Sequence, residues 1–231
     1  MVRRFHKMHG LGNDFVIFDA RETPLAIDGA HARAVADRQT GIGCDQLILL
    51  EPSKVADLRM RIFNADGAGA TVDMGEPRFD WDAIPLAYPM DTARMPVGWE
   101  ELQNPAAVNV GNPHVILFVD DANAVDLERL GPIIEHDPLF PERINVNVAS
   151  AEGDALRLRV WERGAGLTQA CGTGACATAV AAISLGRAPS PVEVRLPGGT
   201  LTIAWERGGR IRMTGPAAHV FTGEIDLEAL A

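Results

Sequence analysis

The sequence is poor in cysteine and lacks any recognisable metal-binding pattern. Its 231 residues include three cysteines, Cys44, Cys171 and Cys176, an odd number that does not suit the disulfide framework of a secreted domain. The five-residue step from Cys171 to Cys176 does not match the paired spacings of structural zinc sites, and no His-Glu-x-x-His segment occurs among the six histidines. We therefore expect free thiols and no bound metal.

Runs of basic residues and long apolar runs are also missing. Lysine and arginine total 21 against 31 aspartates and glutamates, which gives a net charge of −10 and leaves no basic stripe for a phosphate backbone. No apolar segment reaches the length of a membrane span. Residues 1–7 are rich in basic side chains, but Gly10, Asn13 and Asp14 follow them instead of the apolar core of a signal peptide. The sequence thus predicts a cytoplasmic protein that binds neither nucleic acid nor membrane.

The chain does contain many short strand-like runs separated by turn residues, in a composition with 47% apolar residues that is ordinary for a globular protein. Two helical stretches stand out, residues 29–38 and 175–184, and Pro197-Gly198-Gly199 has the composition of a hairpin turn. We therefore expect a strand-rich protein. The strand-like runs are 15–19, 47–50, 58–63, 115–119, 156–161, 192–196, 201–205 and 211–214.

An internal repeat divides the chain into two related halves. Asparagine-centred landmarks recur at a shift of 99 residues, and the strand-like run 58–63 then recurs as 156–161 at a shift of 98. Such a repeat predicts two domains of similar structure, with equivalent polar residues at equivalent strand ends. The corresponding residues are Asn13 with Asn112, Gln46 with Asn145, and Asn64 with Glu162.

The first half of the repeat is shorter than the second. The next landmark, Met74-Gly75-Glu76-Pro77, corresponds to Met213-Thr214-Gly215-Pro216, so the shift rises from 98 to 140 and about 42 residues are missing from the first half. In the second half this interval holds a loop with Cys171, a helix of small residues and two strands. The first half has Ala68-Gly69-Ala70 in their place.

The segment around Cys171 has the clearest chemical pattern. A strand-like run ends in Glu162-Arg163, and a glycine-rich segment leads through Cys171 into an alanine-rich helix. Free backbone N–H groups at a helix start favour anions, so we expect Gly172 and Thr173 to hold a substrate carboxylate while Cys171 gains thiolate character. The alternative is a small cysteine buried in a glycine turn. The other two cysteines have no comparable surroundings, and we expect both to be structural.

Seven short segments carry a family pattern. They are His9–Phe15, Gly41–Gln46, Phe63–Gly67, Gly111–His114, Pro141–Asn145, Glu162–Gly166 and Ala170–Ala175. In this order they resemble the motifs of the diaminopimelate epimerase family. The resemblance implies an α+β fold of two pseudo-symmetric domains, each a curved, mostly antiparallel, barrel-like sheet around a central helix, with the active site in the cleft between them. The expected domains are 1–78 with 218–231, which lacks its central helix segment, and 79–217.

The resemblance implies a homodimeric, cofactor-independent isomerase that interconverts LL- and meso-diaminopimelate in lysine and peptidoglycan synthesis. Because the Cα–H of an amino acid is a very weak acid, such a site needs a base on one face and an acid on the other. In the family two cysteines do this, and Cys171 matches one of them, with His114 and Glu162 matching residues that support it. The residues that match substrate contacts are Asn13, Gln46, Asn64, Asn112, Asn145, Glu162, Arg163, Gly172 and Thr173.

The partner cysteine of the family falls in the block that is missing here. Neither Cys44 nor Cys176 occupies its position. A shortened gene, a catalytically defective relative and an active protein whose site is completed differently all fit this departure, so the alternative function is a non-catalytic binding protein that keeps the half-site at Cys171. Proline-racemase-like and phenazine-pathway proteins share the fold, but segments 9–15 and 162–166 resemble them less.

Overall fold

A computed structural model describes residues 2–10, 13–53, 59–64, 69–71, 75–216 and 218–227. None of the helices in this part of the chain has the length and apolarity that crossing a membrane requires. The helices are α1 (Gly29–Ala36), α2 (Leu127–Glu135) and α3 (Gly172–Ser184). The strands are β1 (Val2–Gly10), β2 (Asn13–Asp19), β3 (Gln46–Glu51), β4 (Arg59–Asn64), β5 (Gly69–Thr71), β6 (Gly98–Trp99), β7 (Leu102–Gln103), β8 (Ala106–Asn109), β9 (Pro113–Phe118), β10 (Asn145–Glu152), β11 (Ala155–Glu162), β12 (Gly166–Thr168), β13 (Val192–Leu196), β14 (Gly199–Ala204), β15 (Arg212–Thr214) and β16 (Ala218–Asp226).

The chain divides into two compact units. Unit 1 contains Met1–Asp73 and Pro216–Ala231, and unit 2 contains Met74–Gly215. The sheet of unit 1 has the strand order β16-β1-β2-β3-β4-β5, and that of unit 2 has the order β15-β14-β13-β11-β10-β9-β8, with β12 paired to β11. The pairings β2–β3, β9–β10 and β11–β13 are parallel, while the other pairings between described strands are antiparallel. The predicted α+β class with mostly antiparallel sheets is confirmed.

The internal repeat is built into the strand pairing of both sheets. In unit 1 the parallel strands β2 and β3 align Phe15 with Gln46, and in unit 2 the parallel strands β9 and β10 align His114 with Asn145. Both pairs are 31 residues apart in sequence. Each parallel pair then continues into an antiparallel strand, β4 in unit 1 and β11 in unit 2. The predicted pseudo-symmetry of the two halves is therefore confirmed at the level of register.

Helix α3 is the central helix of unit 2. Residues 174–182 are all buried, and the helix contacts strands from both ends of the sheet, including β8, β11 and β14. Its alanines and glycines allow this close packing because small side chains keep the backbone near the strands. The opposite face of the sheet packs against α2, whose Leu130 and Ile134 are fully buried, and each such side chain contributes roughly 1.5–3 kcal/mol.

Unit 1 has one helix in its described part, α1, which is the counterpart of α2 because both join the two parallel strands. A row of three isoleucines crosses β2, β3 and β4 in the same register as the row that α3 covers in unit 2. The unit 2 row is at most 1% exposed, whereas two of the three isoleucines in unit 1 are only half-buried. The described part of unit 1 thus lacks a central helix, as predicted. The rows are Ile17, Ile48 and Ile62 in unit 1, and Ile116, Asn147 and Val160 in unit 2.

Several elements were not predicted from sequence, each for a physical reason. Helix α2 contains Gly131 and Pro132, two residues that oppose helix formation in isolation and are outweighed here by burial of its apolar face. Strand β10 begins Asn145-Val146-Asn147, and asparagine is uncommon in strands; here both asparagines are buried and hydrogen-bonded. Strand β16 is exposed along nearly its whole length, and its place depends on hydrogen bonds to β1.

Candidate functional site

Cys171 lies at the N-terminus of α3 and caps the helix. Its Sγ accepts a hydrogen bond from the Gly174 N–H at 3.3 Å and lies 3.5 Å from Thr173 Oγ1. Glycine at 174 allows close packing, because an added Cβ would lie 3.0 Å from Val160 Cγ2 on the neighbouring strand β11 and 3.2 Å from Cys171 Sγ. The helix start therefore fixes the thiol beside the end of β11, the strand that carries Glu162.

Burial and the neighbouring Glu162 carboxyl group control the ionisation of Cys171. Burial, followed by the charge of Glu162, raises the pKa of the Cys171 thiol to about 12, and the hydrogen bonds from Thr173 and Gly174 only partly oppose this. Burial likewise raises the pKa of Glu162. Our expectation that Cys171 gains thiolate character is therefore wrong for this structure, because desolvation and a nearby carboxylate outweigh the helix start.

Three of the predicted residues form a polar chain beside the thiol. Asn112 Nδ2 donates to Thr173 Oγ1 at 3.3 Å, and Asn112 Oδ1 lies 2.9 Å from His114 Nε2. His114 and Asn112 are on and just before β9, so this chain ties the first turn of α3 to the sheet. The structure thus joins Asn112, His114 and Thr173 in one hydrogen-bonded chain, whose Thr173 Oγ1 lies 3.5 Å from Cys171 Sγ.

A buried asparagine holds the other side of the His114 ring. Asn147 Oδ1 lies 3.3 Å from His114 Nδ1, while its Nδ2 donates to Gly174 O and to Thr178 Oγ1, both at 3.1 Å. Because both amide hydrogens of Asn147 are used on α3, its oxygen faces Nδ1 of the ring, while the oxygen of Asn112 faces Nε2. A neutral ring can donate its single N–H to only one of these two oxygens. Burial lowers the pKa of His114 to about 4, so the ring is neutral at neutral pH and supports the site through hydrogen bonds.

Asn145 and Arg163 meet where β10 begins and β11 ends. Asn145 is buried; its Oδ1 accepts a hydrogen bond from the Arg163 backbone N–H at 3.0 Å, and its Nδ2 donates to Pro113 O at 2.8 Å. The guanidinium of Arg163 donates to Glu142 O at 2.9 Å and is exposed. Asn145 therefore orients the turn that follows Glu162, and the charged end of Arg163 faces solvent.

The predicted residues of unit 1 lie at the ends of β2, β3 and β4. Asn13 Nδ2 donates to Gln46 Oε1 at 3.4 Å, so these two side chains are neighbours. Gln46 pairs with Asn64 across β3 and β4. The backbone of Asn64 is therefore close to the other two residues, whereas its side chain lies outside the described part of the structure.

An ion network beside these residues was missed in the sequence. Asp14 accepts hydrogen bonds from Lys7 Nζ at 2.6 Å, from Arg38 Nη2 at 2.8 Å and from the Asp45 N–H at 2.9 Å. Burial alone would raise the pKa of Asp14, but the bonds from Arg38 and Lys7 outweigh it and hold this pKa well below its usual range. The available signal was that both aspartates directly neighbour the predicted amide residues of β2 and β3.

Asn147 was also missed, although its position offered a signal. It lies two residues after Asn145 on β10, and side chains two residues apart on a strand point to the same face. The other two cysteines are buried: Cys44 lies in the core of unit 1 and Cys176 inside α3, and burial raises their pKa values to about 11 and about 12. Within the described ranges, no three His, Cys, Asp or Glu side chains are grouped as metal ligands.

Comparison with known proteins identifies the family to which this chain is similar. A model of the diaminopimelate epimerase family matches residues 5–75 and 106–220. The chain belongs to the diaminopimelate epimerase family. The diaminopimelate epimerase of Rhizorhabdus wittichii is 61% identical, over 99% of this chain and 97% of that protein. The diaminopimelate epimerase of Sphingopyxis alaskensis is 58% identical, over 98% of each chain.

The length of these alignments supports the conclusion from the repeat that a block of residues is missing from this chain. The alignment with the Rhizorhabdus wittichii protein spans 267 positions, which a chain of 231 residues cannot fill, so at least 36 positions of that relative have no counterpart here. These 36 or more positions are close in number to the roughly 42 residues that the repeat shows to be missing from the first half.

Solved structures with the same fold are more distant in sequence. A hydroxyproline epimerase from Agrobacterium vitis aligns with a TM-score of 0.60 at 13% identity, over 97% of this chain and 92% of that one. A phenazine biosynthesis protein from Bacillus anthracis aligns with a TM-score of 0.58 at 12% identity, over 97% and 99%. At these identities the likeness concerns the fold alone, and it extends over both units of this chain.

Proposed function

We propose that this chain is a diaminopimelate epimerase, an isomerase of lysine biosynthesis that interconverts LL- and meso-diaminopimelate by removing and returning the hydrogen at one α-carbon. The observation that carries the proposal is the 61% identity with the Rhizorhabdus wittichii enzyme over 99% of this chain. The alternative of a non-catalytic binding protein has no support among these relatives, because they bear the name of the enzyme.

Cys171 is the proposed base on one face of the α-carbon. As a thiolate it takes the Cα proton and leaves the bonding electrons on the substrate as a carbanion. Since the thiol pKa of about 12 is due partly to the charge of Glu162, a substrate ammonium group placed beside Glu162 would offset that charge and lower the pKa of Cys171. Substrate binding would in this way favour the reactive form of the thiol.

The start of α3 is the proposed site for the carboxylate next to the reacting carbon. The backbone N–H groups of Gly172 and Thr173 are among those that a helix start leaves without intrahelical partners, and they would also stabilise negative charge on the carbanion. The exposed guanidinium of Arg163 suits the distal carboxylate, because its planar fork donates two parallel hydrogen bonds to such a group. The remaining proposed substrate contacts are Asn13, Gln46, Asn64, Asn112 and Asn145.

The second proton transfer needs an acid on the opposite face. The partner cysteine of the family has no counterpart in this sequence, and Cys44 and Cys176 are buried in the interiors of their units. We infer that solvent water donates the second proton. The hydroxide formed in that step is neutralised by the proton that Cys171 releases as it returns to the thiolate, so the cycle is balanced.

This reaction, as proposed, uses side chains and water and no cofactor. The homodimer stays a prediction from the family resemblance. The cytoplasmic location, and the expectation that the protein binds neither nucleic acid nor membrane, stay predictions from the charge and hydropathy of the sequence.

Conversion of stereochemically pure LL-diaminopimelate to the meso form, followed by chiral chromatography, tests the proposal. We expect conversion by the wild type, a loss of at least about a hundredfold in Cys171→Ala, and near-wild-type rates in the matched control Cys176→Ala. A preference for proline over diaminopimelate in a competition assay, or equal rates in Cys171→Ala and the wild type, would contradict it.

A further inference from the structure

A buried carboxylate on α2 accepts hydrogen bonds from the turn between β11 and β12, which carries Glu162 and Arg163. Glu135 is the last residue of α2 and is 3% exposed. Its Oε1 accepts a hydrogen bond from the Gly164 N–H at 3.0 Å, and its Oε2 accepts one from Trp161 Nε1 at 2.8 Å. The carboxylate therefore binds one residue on each side of the Glu162-Arg163 pair.

The Trp161 ring is seated on the same face of α2. A Cβ added to Gly131 would lie 2.5 Å from Cγ and Cδ2 of Trp161, so the ring lies against the helix backbone where only glycine leaves room. Gly131 and Glu135 are four residues apart, which places them on one face of the helix. One turn of α2 thus receives the indole ring and also accepts its N–H.

The opposite side of the turn is held by a second side chain. Asn145 Oδ1 accepts a hydrogen bond from the Arg163 N–H at 3.0 Å, directly before the Gly164 N–H that Glu135 accepts. Gly164 has a φ of 75°, a left-handed conformation that glycine adopts readily. Two buried acceptors therefore fix consecutive peptide groups at the point where the chain reverses.

We propose that Glu135 is a positioning residue that sets the placement of Glu162 and Arg163 for diaminopimelate, an inference that rests on the function proposed above. Glu135 accepts hydrogen bonds from two N–H donors, and Arg143 Nη1 lies 3.8 Å from its Oε1, so the site requires a group that accepts twice. A carboxylate does so with its two oxygens, whereas an amide presents one acceptor and one competing donor. Displacement of the turn would move both charged residues together.

Glu135→Gln tests this with Glu128→Gln as the matched control, because Glu128 lies on the exposed side of the same helix. We expect KM for LL-diaminopimelate to rise about tenfold in Glu135→Gln, the effect of one lost hydrogen bond to a charged group, with a much smaller change in kcat. Mere loss of folded protein would lower kcat and leave KM unchanged. An unchanged KM in Glu135→Gln would overturn the proposal.

A second measurement separates this proposal from the proposed function. Glu162 raises the pKa of Cys171, so a displaced turn should move the midpoint of Cys171 alkylation to lower pH in Glu135→Gln and not in Glu128→Gln. If the wild type fails to epimerise diaminopimelate, the function is wrong while the alkylation shift still decides the positioning. Should Glu135→Gln not fold, Trp161→Phe removes the indole N–H donor and keeps an aromatic ring at this position. An unshifted midpoint of Cys171 alkylation in that variant would also overturn the proposal.

Discussion

Asn147→Ala should destabilise unit 2 more than any ordinary polar substitution on β10. Asn147 is fully buried and bonds to His114, to Gly174 O and to Thr178 Oγ1. After its removal the Gly174 carbonyl keeps its helical partner, and the Thr178 hydroxyl can rotate toward a backbone carbonyl of α3. The buried Nδ1 of His114 has no such replacement partner, and a small cavity remains beside it.

The magnitude follows from these two losses. A buried donor or acceptor without a partner costs about 1–3 kcal/mol, and the missing side-chain volume adds to it. We therefore expect the free energy of unfolding of unit 2 to fall by about 3 kcal/mol, a large part of the roughly 5–15 kcal/mol that a domain has. Ser150→Ala is the matched control on the same strand. Ser150 is buried and accepts one hydrogen bond, from the Ala122 N–H at 3.2 Å, so its loss should cost about 1 kcal/mol.

Urea unfolding followed by tryptophan fluorescence is the suitable assay. All four tryptophans, at positions 81, 99, 161 and 205, belong to unit 2, so the signal reports this unit separately from unit 1. The two variants should shift the midpoint with unchanged slopes. A loss below about 1 kcal/mol in Asn147→Ala, or one no larger than in Ser150→Ala, would refute the reasoning that Asn147 is the central link between β10, His114 and α3.

Three further predictions concern charge and the shortened first half. The pKa of His114 falls from 6.5 to about 4 on folding, so the unfolded chain takes up a proton before the folded one does. The free energy of unfolding of unit 2 should therefore be constant with respect to this group above pH 6.5 and fall by roughly 3 kcal/mol as the pH drops to 4. An equally steep pH profile in His114→Gln would contradict this. Iodoacetamide should label Cys171 faster than the other two cysteines, because Cys171 is 5% exposed against 1% for Cys44 and 0% for Cys176, and its alkaline midpoint should fall in Glu162→Gln; equal labelling of all three, or a fixed midpoint, would argue against the site. Limited proteolysis should cut preferentially before about residue 78, because the described part of unit 1 has no central helix, and uniform resistance would count against this.

The repeat made much of the fold predictable. A shift of 99 residues between the halves became an identical register of parallel strands, because pairing fixes which residues face each other and an equal spacing along the chain gives an equal spacing across the sheet. The absence of a central helix from the described part of unit 1 followed from the same repeat. Helix α2 and strand β16 could not be found this way, since Gly131 and Pro132 conceal the first and exposure conceals the second.

Within the site, the sequence indicated which residues lie close together, but it did not indicate their protonation states. The Cys171 cluster and its neighbours Asn112 and His114 could be named from short motifs. The pKa of Cys171 could not be predicted, because it depends on how deeply the thiol is buried and how close Glu162 comes. The contact of Glu135 with Trp161 is between residues 26 apart on different elements, and neither belongs to a motif segment. Such contacts become visible only when α2 is placed on the sheet.

The most direct test of the proposed function is incubation of the folded protein with stereochemically pure LL-diaminopimelate in deuterated water. Mass spectrometry would follow deuterium at the α-carbon while chiral chromatography follows the meso form. We predict that deuterium uptake and the meso form appear together and that both are lost in Cys171→Ala. Absence of uptake and of the meso form in wild-type protein with an intact unfolding transition would contradict the account, because the chain would then keep the scaffold of the family without its reaction.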